Sequence, residues 1–335
     1  MIALQTPAEW SPHRAMWLGF PSHPELWEDD LAPAQAEVAA LARALAGPGA
    51  ERVRMMVRGE EAEAAARTLL GEGSGVEIVR AQFGDIWMRD TGPIFVKDGE
   101  ETVASAFRFN GWGGKYQLDD DDLVAEQIAA ASGTRRTEND FVLEGGAVDG
   151  DGAGAILSTR QCLLNPNRNP GWTQAKAEAA LASALGVKKV LWLGEGLAND
   201  HTDGHVDNLA RFVAPGVVAV PLAVGHDDPH SFAYDAAARD LAHATDAAGR
   251  GLRVVRIPSP GRIPGADGLS APASHMNFVI ANRAVVAPIF SERPGELALE
   301  ALRMLFPDRE VIGLPSGALI TGGGSFHCIT QQEPA

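Results

Sequence analysis

The chain has 335 residues, 45% of them hydrophobic and 21% charged, a composition typical of a globular protein with a sizeable core. Its 44 acidic and 28 basic residues leave a formal net charge of −16, which disfavours nucleic-acid binding because phosphate contacts require clustered Lys and Arg. Two cysteines cannot form a disulfide framework, no secretory signal is visible, and no apolar run reaches the ~20 residues that cross a bilayer. We therefore expect a soluble cytoplasmic protein with neither nucleic acid nor membrane as a partner.

Short apolar runs rich in β-branched residues alternate with stretches rich in Ala, Glu and Arg. The apolar runs predict strands at 15–20, 53–57, 76–79, 102–107, 155–157, 189–193, 216–222, 252–257, 277–280, 284–288 and 310–314. The other stretches predict helices at 33–46, 60–70, 123–131, 173–185, 230–248 and 294–305. Such frequent alternation is typical of an α/β protein, and the absence of a linker predicts a single domain over residues 1–335.

The first motif with chemical content is residues 85–93 (DIWMRDTGP), which ends in a Gly-Pro turn. Asp90 could pair with a cationic substrate while Trp87 covers its flat face through a cation–π contact. Alternatively, Arg89 and Asp90 form a structural pair and Trp87 belongs to the core. The glycine-rich loop 110–116 (NGWGGKY), which contains Trp112, lacks the spacing of a phosphate-binding loop and is interpreted as a pocket wall or lid.

Residues 141–146 (FVLEGG) place Glu144 at the end of an apolar run, where two glycines permit close approach of a ligand. A simple turn is the competing interpretation. Residues 165–170 (NPNRNP) indicate a structural turn, and Cys162, just before them, is interpreted as a core residue.

The segment 199–208 (NDHTDGHVDN) is the strongest internal candidate for a site. Residues two apart in an extended segment point to the same face, which would set His205 and Asp207 side by side as an acid–base and cation-binding pair. A second interpretation is metal ligation by His201, Asp203, His205 and Asp207, and a third is a solvated polar loop.

Near the end of the chain, residues 322–330 (GGGSFHCIT) follow a run at 310–314 that predicts a buried strand. Three glycines, including Gly324, let the backbone approach a ligand closely. Cys328 beside an imidazole is a plausible nucleophile, because nearby positive charge lowers the pKa of a thiol. A small buried hydrophobic residue is the alternative.

Taken together, the segments 87–93, 109–114, 144–146, 163–170, 203–208 and 322–332 resemble the agmatine deiminase family, within the guanidine-modifying enzymes called penteins. The resemblance implies a five-module, pseudo-fivefold α/β propeller, a single catalytic domain with the site in its central channel. It also implies hydrolytic deimination of agmatine to N-carbamoylputrescine and ammonia, a step of putrescine biosynthesis, with no cofactor and no metal. The expected partner is the small cationic guanidine, and the sequence is compatible with a homo-oligomer.

By the same resemblance, Cys328 attacks the guanidinium carbon, and His205 protonates the departing ammonia and then activates water. Asp90 and Asp207 bind the guanidinium nitrogens, while Glu144 pairs with His205.

Around this centre, Trp87 stacks on the guanidinium, with Trp112 and Gly324 as further substrate-binding residues. Bound guanidinium would also supply the positive charge that stabilises the thiolate.

The glycine run departs from the family pattern at Ser325 and Phe326, which puts the hydrogen bonding of the nucleophile loop in question. Alternatives to agmatine hydrolysis are deimination of another guanidine such as peptidyl arginine, a non-catalytic guanidine-binding protein, and a metal-dependent hydrolase.

Overall fold

The computed structural model describes residues 4–265 and 268–335. Strands β1 to β16 are His13–Gly19, Val53–Val57, Val76–Arg80, Ile94–Asp98, Glu101–Arg108, Arg135–Val142, Asp149–Gly150, Ala155–Thr159, Lys189–Leu193, Arg211–Ala214, Val217–Leu222, Arg253–Pro258, Val279–Ile280, Ala284–Ile289, Glu310–Pro315 and Thr330–Pro334. Helices α1 to α10 are Pro24–Trp27, Leu31–Ala46, Glu60–Leu70, Met88–Thr91, Gly111–Gly114, Val124–Ser132, Arg160–Leu163, Gln174–Leu185, Ser231–Ala242 and Glu292–Leu305. Within the described ranges, no helix is long and apolar enough to cross a membrane.

Every predicted strand and helix is present, with ends that differ by a few residues at most places. The helix predicted to reach residue 248 ends at Ala242, and β15, predicted to be buried, is only half-buried. Strands such as β6 (RRTENDFV) and β16 (TQQEP) were not predicted, because their sequences are largely polar and lack an apolar signal.

The described strands form five small sheets that repeat one pattern. In four of them the first two strands pair antiparallel, and a helix then connects the second strand to a parallel third strand. These sheets are β4-β5-β6, β7-β8-β9, β10-β11-β12 and β13-β14-β15, with α6, α8, α9 and α10 as their connecting helices. This is the five-module α/β arrangement expected from the sequence, and a helix between parallel strands is its usual connection.

The fifth sheet joins the two ends of the chain. Its order is β16-β1-β2-β3, and β16 pairs antiparallel with β1 from Thr330 opposite Leu18 to Pro334 opposite His13. The C-terminal strand therefore supplies the first strand of the N-terminal module. This closure holds the turn just before β16, which contains Cys328, against the start of the chain.

Local sequence explains where the connecting helices begin and end. In α8, Thr173 caps the N-terminus by accepting a hydrogen bond from the backbone N–H of Lys176, and Gly186 ends the helix with a φ of 70°. The buried face of this helix is made of Ala and Leu and belongs to a core cluster that includes residues of β4, β5 and β8. The connecting helices thus bury their apolar faces in the core, and the polar turns before the first strands are left to build a site.

Candidate active site

One short turn precedes the first strand of each sheet, and each of these turns supplies a polar side chain to a common region. The residues are Asp90 before β4, Glu144 before β7, Asp207 before β10, Asn277 before β13 and Cys328 before β16. All five are buried. The repeated architecture therefore explains how side chains as far apart in sequence as Asp90 and Cys328 meet in one region.

A cavity of about 250 Å³ opens onto this region. Its lining includes Trp27, Trp87 and Trp112, together with Asp90 and Cys328. The indole N–H groups of Trp27 and Trp87 both donate to Asp85, over 3.0 and 2.8 Å, which holds the two stacked rings in place. The expectation that the 110–116 loop forms a pocket wall is confirmed, since Trp112 and Tyr116 both line the cavity.

Gly324 separates the Trp87 ring from the nucleophile. A Cβ atom at this position would lie 2.5 Å from Trp87 Cζ3 and 3.2 Å from Cys328 Sγ. Only glycine leaves the space between ring and sulfur open for a planar ligand.

The Cys328 thiol is held by two neighbours. The side-chain amide of Asn277 donates to Sγ over 3.1 Å, and Asp207 Oδ2 lies 3.9 Å from the same sulfur. Burial raises the pKa of the Cys328 thiol well above its usual range, and the charges of Asp207 and Asp90 act in the same direction. In the empty site Cys328 is therefore a thiol rather than a thiolate.

Asp90 is oriented by two hydrogen bonds, one from the backbone N–H of Gly146 to Oδ1 (3.0 Å) and one from Trp112 Nε1–H to Oδ2 (2.9 Å). Burial raises its pKa well above the usual range, and Asp207 and Glu144 add to this effect. Trp112 thus contributes both a pocket wall and a hydrogen bond to a guanidinium-binding candidate.

Asp207 differs from Asp90 because a histidine ring is hydrogen-bonded to it. Its Oδ2 lies 2.8 Å from His327 Nδ1, while its Oδ1 is buried without a partner. Burial acts to raise the Asp207 pKa, but the His327 contact outweighs it and the pKa is lowered. Asp207 is therefore an ionised carboxylate with one oxygen free to accept a ligand.

His205 and Asp207 lie together as predicted, although a 3-10 turn over Val206–Asn208, and not an extended segment, brings them there. The side chains of His205, Asp207 and Asp90 meet around Gly146. A Cβ atom on it would lie 2.4 Å from His205 Nδ1, 3.0 Å from Asp90 Oδ1 and 3.1 Å from Asp207 Oδ2. Three candidate catalytic side chains therefore surround one glycine.

Both ring nitrogens of His205 are buried and have no hydrogen-bond partner among the described residues. Burial lowers the His205 pKa to about 3, so the imidazole is neutral at pH 7 when the pocket is empty. A neutral imidazole can accept the proton that the Cys328 thiol must lose.

The expected hydrogen bond between Glu144 and His205 is not formed. Glu144 instead accepts from Arg168 Nε over 2.6 Å, and Arg168 also binds Asp203 at 2.7 Å and the carbonyl of Thr202 at 2.8 Å. Arg168 is fully buried, so the NPNRNP segment is more than a turn: it connects Glu144 to the loop that carries His205.

The described residues do not form the metal site that the HTDGHVD pattern suggested. Asp203 is occupied by Lys115 and Arg168, and His201 Nδ1 lies 3.0 Å from the Tyr116 hydroxyl at the pocket mouth. A different group among the described residues, Glu144, Cys162 and His205, has ligand atoms within 4.8 Å of one another. Arg168 already neutralises Glu144 in this group, and Cys162 is buried in the core as expected.

Ser325 and Phe326, the two positions that depart from the family pattern, both contact buried side chains. Ser325 Oγ lies 2.7 Å from Ser316 Oγ, and Phe326 is fully buried in the largest core cluster. The nucleophile loop is thus tied to β15 and to the core by side chains that do not enter the pocket.

Sequence reasoning missed Asn277, Arg168 and Glu9 as contributors to the site. Asn277 was interpreted as the first residue of a strand, and a single Asn or Arg carries no periodic signal. The repetition of one polar residue before each first strand is a signal that could have identified Asn277, once the modules were known.

A buried thiol, an imidazole and three carboxylates from the turns of four α/β modules, together with the Asn277 amide from the fifth, define a guanidine-modifying enzyme of the pentein class. Residues 5–334 match the family model of the Porphyromonas-type peptidyl-arginine deiminases. The chain belongs to this family.

Two relatives that are similar to nearly the whole chain are agmatine deiminases. The agmatine deiminase of Pseudomonas aeruginosa (strain LESB58) is 38% identical over 353 residues, covering 98% of this chain and 95% of the relative. The agmatine deiminase of Stutzerimonas stutzeri (strain A1501) is 39% identical over 356 residues, with the same coverage of 98% and 95%.

Solved structures extend the comparison. The agmatine deiminase of Enterococcus faecalis superposes with a TM-score of 0.93 at 33% identity, covering 99% of this chain and 96% of that one. An amidinotransferase from Microseira wollei, with a TM-score of 0.54 at 13% identity over 98% and 96% of the two chains, shares the fold alone.

Proposed function

We propose that this protein hydrolyses agmatine to N-carbamoylputrescine and ammonia through a covalent Cys328 intermediate, a step of putrescine biosynthesis. The observation that carries the proposal is the grouping of a thiol, two carboxylates and an unpartnered imidazole. Cys328 and Asp90 line the pocket, and Asp207 Oδ2 lies 3.9 Å from Cys328 Sγ. The His205 ring and both carboxylates surround Gly146. Relatives named agmatine deiminase over nearly the full chain support the same substrate.

Binding is the first step. Asp207 Oδ1 is unpartnered, and Asp90 is fixed by its bonds from Gly146 and Trp112, so both carboxylates can accept guanidinium N–H groups. Trp87 faces the gap that Gly324 leaves open, where it can cover the planar guanidinium. These contacts would hold the guanidinium carbon next to Cys328 Sγ.

The chemistry then needs one proton carrier. His205 takes the thiol proton, and the Cys328 thiolate attacks the guanidinium carbon to give a tetrahedral adduct. His205 returns the proton to the departing nitrogen, the C–N bond breaks, and ammonia leaves an amidino-thioether. His205 next takes a proton from water, and the resulting hydroxide attacks the same carbon to give a second tetrahedral adduct. As the C–S bond breaks, His205 returns its proton to the Cys328 sulfur, and the hydroxyl proton of the adduct passes to solvent, which leaves the neutral ureido product.

Charge balance supports a role for the substrate in activating the thiol. The Cys328 pKa is raised in the empty site by burial and by Asp207 and Asp90. A bound guanidinium offsets both carboxylates and adds a positive charge beside the sulfur, which favours the thiolate. The thiol is then deprotonated mainly when a substrate is present.

The pocket lining favours agmatine over free arginine. The residues described as lining it include no Lys or Arg that could hold an α-carboxylate. Arg89, the one candidate cation in the motifs, instead binds the carbonyl of His327 and the side chain of Gln332. Lys115 at the mouth is paired with Asp203.

A turnover assay with agmatine, arginine and an arginyl peptide tests the proposal. We expect ammonia and ureido product from agmatine, none from Cys328→Ala, and turnover that persists in a chelator. Turnover of the peptide alone would identify a peptidyl-arginine deiminase, and undiminished activity of Cys328→Ala would exclude the covalent mechanism.

We also propose that residues 1–335 form one catalytic domain, because the candidate site draws on all five sheets and no subset of modules completes it. A homo-oligomer and a cytoplasmic location are proposed as well, to be tested by light scattering and by cell fractionation.

A further inference from the structure

His327, the neighbour of the nucleophile, does not point at the thiol. Its ring lies between two carboxylates: Nδ1 is 2.8 Å from Asp207 Oδ2, and Nε2 is 3.2 Å from Glu9 Oε2. The ring is buried. A neutral imidazole carries one N–H, so only the imidazolium can donate to both carboxylates at once.

Glu9 is held firmly for this role, although it belongs to the irregular segment before β1. Its Oε1 accepts the backbone N–H of Ile280 over 2.7 Å, and its Oε2 also contacts Arg211 Nη2. Burial would raise the Glu9 pKa, but Arg211 and His327 outweigh it and lower the pKa far below the usual range. Glu9 is therefore an ionised carboxylate at neutral pH.

Arg211 makes several further contacts in this network. It binds Asp149 at 2.5 Å and the carbonyls of Met276 and Phe278 at 3.1 and 3.0 Å. Arg89 is a further charged group near His327, and its Nε donates to the His327 carbonyl over 3.3 Å. The buried ring of His205 also lies close enough to His327 to interact with it electrostatically. Among the described residues, the ion-pair partners of the imidazole nitrogens are therefore the carboxylates of Asp207 and Glu9, while Arg211 is bound to Glu9 and Arg89 to the His327 carbonyl.

The same oxygen of Asp207 links this network to the reaction. Asp207 Oδ2 is both 2.8 Å from His327 Nδ1 and 3.9 Å from Cys328 Sγ. A negative charge 3.9 Å from sulfur opposes formation of the thiolate, and a cation on that same oxygen offsets it.

We propose that His327 is a positioning residue, held as an imidazolium by Glu9, that neutralises Asp207 Oδ2 and thereby allows the Cys328 thiolate to form. The proposal rests on the proposed role of Cys328 as nucleophile. It assigns to Glu9, more than 300 residues away in sequence, an indirect effect on the reactivity of the thiol.

The test measures thiol reactivity without turnover. Alkylation of Cys328 by iodoacetamide is followed by peptide mass spectrometry across pH, in the otherwise unchanged protein and in Glu9→Gln. We expect the apparent thiol pKa to rise by about one unit in Glu9→Gln, which corresponds to about tenfold slower alkylation at a fixed pH below that pKa. An unchanged alkylation profile would overturn the proposal.

Agmatine binding to Cys328→Ala, with and without Glu9→Gln, separates this role from a structural one. Loss of the charge on His327 leaves Asp207 free to bind guanidinium, so we expect affinity to be retained or increased. Weaker agmatine binding would mean that Glu9 merely holds Asp207 in place, and would also overturn the proposal.

The buried His13–Glu51 pair, whose atoms are 2.8 Å apart and which lies outside the pocket, provides the matched control. Glu51→Gln should leave the alkylation profile of Cys328 unchanged. If Glu9→Gln does not fold, His327→Asn retains a neutral donor toward Asp207 and should show the same rise in thiol pKa. Failure of agmatine to react with the unsubstituted protein would refute the proposed substrate but leave the alkylation result intact.

Discussion

Asn277 is hydrogen-bonded to Cys328, the candidate nucleophile, through both its side-chain nitrogen and its side-chain oxygen. The amide Nδ2 of Asn277 donates to Sγ over 3.1 Å, and its Oδ1 accepts the backbone N–H groups of His327 (2.8 Å) and Cys328 (3.3 Å). One side chain therefore positions both the sulfur and the backbone that carries it. Its Nδ2 also donates to Asn208 Oδ1 over 2.9 Å, which ties the nucleophile loop to the turn of Asp207.

Asn277→Ala removes the donor to sulfur and releases the loop. A hydrogen bond to a charged group is worth about 1.5–3 kcal/mol, so we expect kcat/KM for agmatine to fall by roughly 10- to 100-fold. Steady-state kinetics measures this change. Asn282→Ala, which removes a side-chain amide bonded to the backbone N–H and carbonyl of His13 outside the pocket, should leave kcat/KM near that of the unchanged protein.

Gly146→Ala places a methyl group 2.4 Å from His205 Nδ1. Since His205 is fully buried, its ring cannot move aside without repacking, and we expect activity to fall by about 100-fold or more, the scale of losing a general acid–base group. Gly150→Ala is the matched control, because its Cβ would meet nothing closer than 3.6 Å. Equal activity of the two variants would contradict the convergence of side chains on Gly146.

The pH dependence of thiol reactivity tests activation by substrate. Because the Cys328 pKa is raised in the empty site, the protonated thiol persists at neutral pH and alkylation should accelerate only at high pH. A guanidine that binds without turnover should shift the apparent thiol pKa downward. Cys162→Ser serves as the control, since Cys162 is fully buried and its pKa is likewise raised by burial, then by Glu144. An identical thiol pKa with and without ligand would exclude this mechanism.

Arg168→Gln leaves Glu144 buried without its cation. Breaking a buried ion pair from one side costs about 3–5 kcal/mol, so we expect lower stability in chemical denaturation. Burial already raises the Glu144 pKa, and loss of Arg168 would raise it further, so Glu144 would be protonated over a wider pH range and kcat should fall. Arg160→Gln, which removes a partly exposed Arg that binds the carbonyl of Trp192, should change neither quantity much.

Ser325→Ala tests whether the departure from the family pattern matters for catalysis. The substitution leaves the buried Ser316 hydroxyl without a partner, at a cost of about 1–3 kcal/mol in the free energy of unfolding. Because Ser325 Oγ does not bond to the site residues, we expect kcat to change little. A large loss of kcat with unchanged stability would show that this hydroxyl acts in the reaction.

The amino-acid sequence alone determined the local elements and the reactive residue types. Apolar runs and Ala-rich stretches predicted the strands and helices because their hydrophobic periodicity reflects a face packed against the core. The motifs around Asp90, Glu144, His205, Asp207 and Cys328 carried the resemblance to guanidine-modifying enzymes, because glycine-rich turns and polar residues at strand ends are local features.

Only the tertiary structure decided how these groups are charged and which neighbours hold them. Arg168 and not His205 pairs with Glu144, and His327 faces Asp207 and Glu9 and not the sulfur. These pairings join residues from separate segments of the chain, and no periodicity or spacing in one segment encodes a contact with another. The strength of these pairings also depends on burial. Where water is excluded, the presence or absence of one charged partner strongly shifts the pKa of a side chain. The closure of β16 on β1 creates that burial and brings Glu9 to the nucleophile loop.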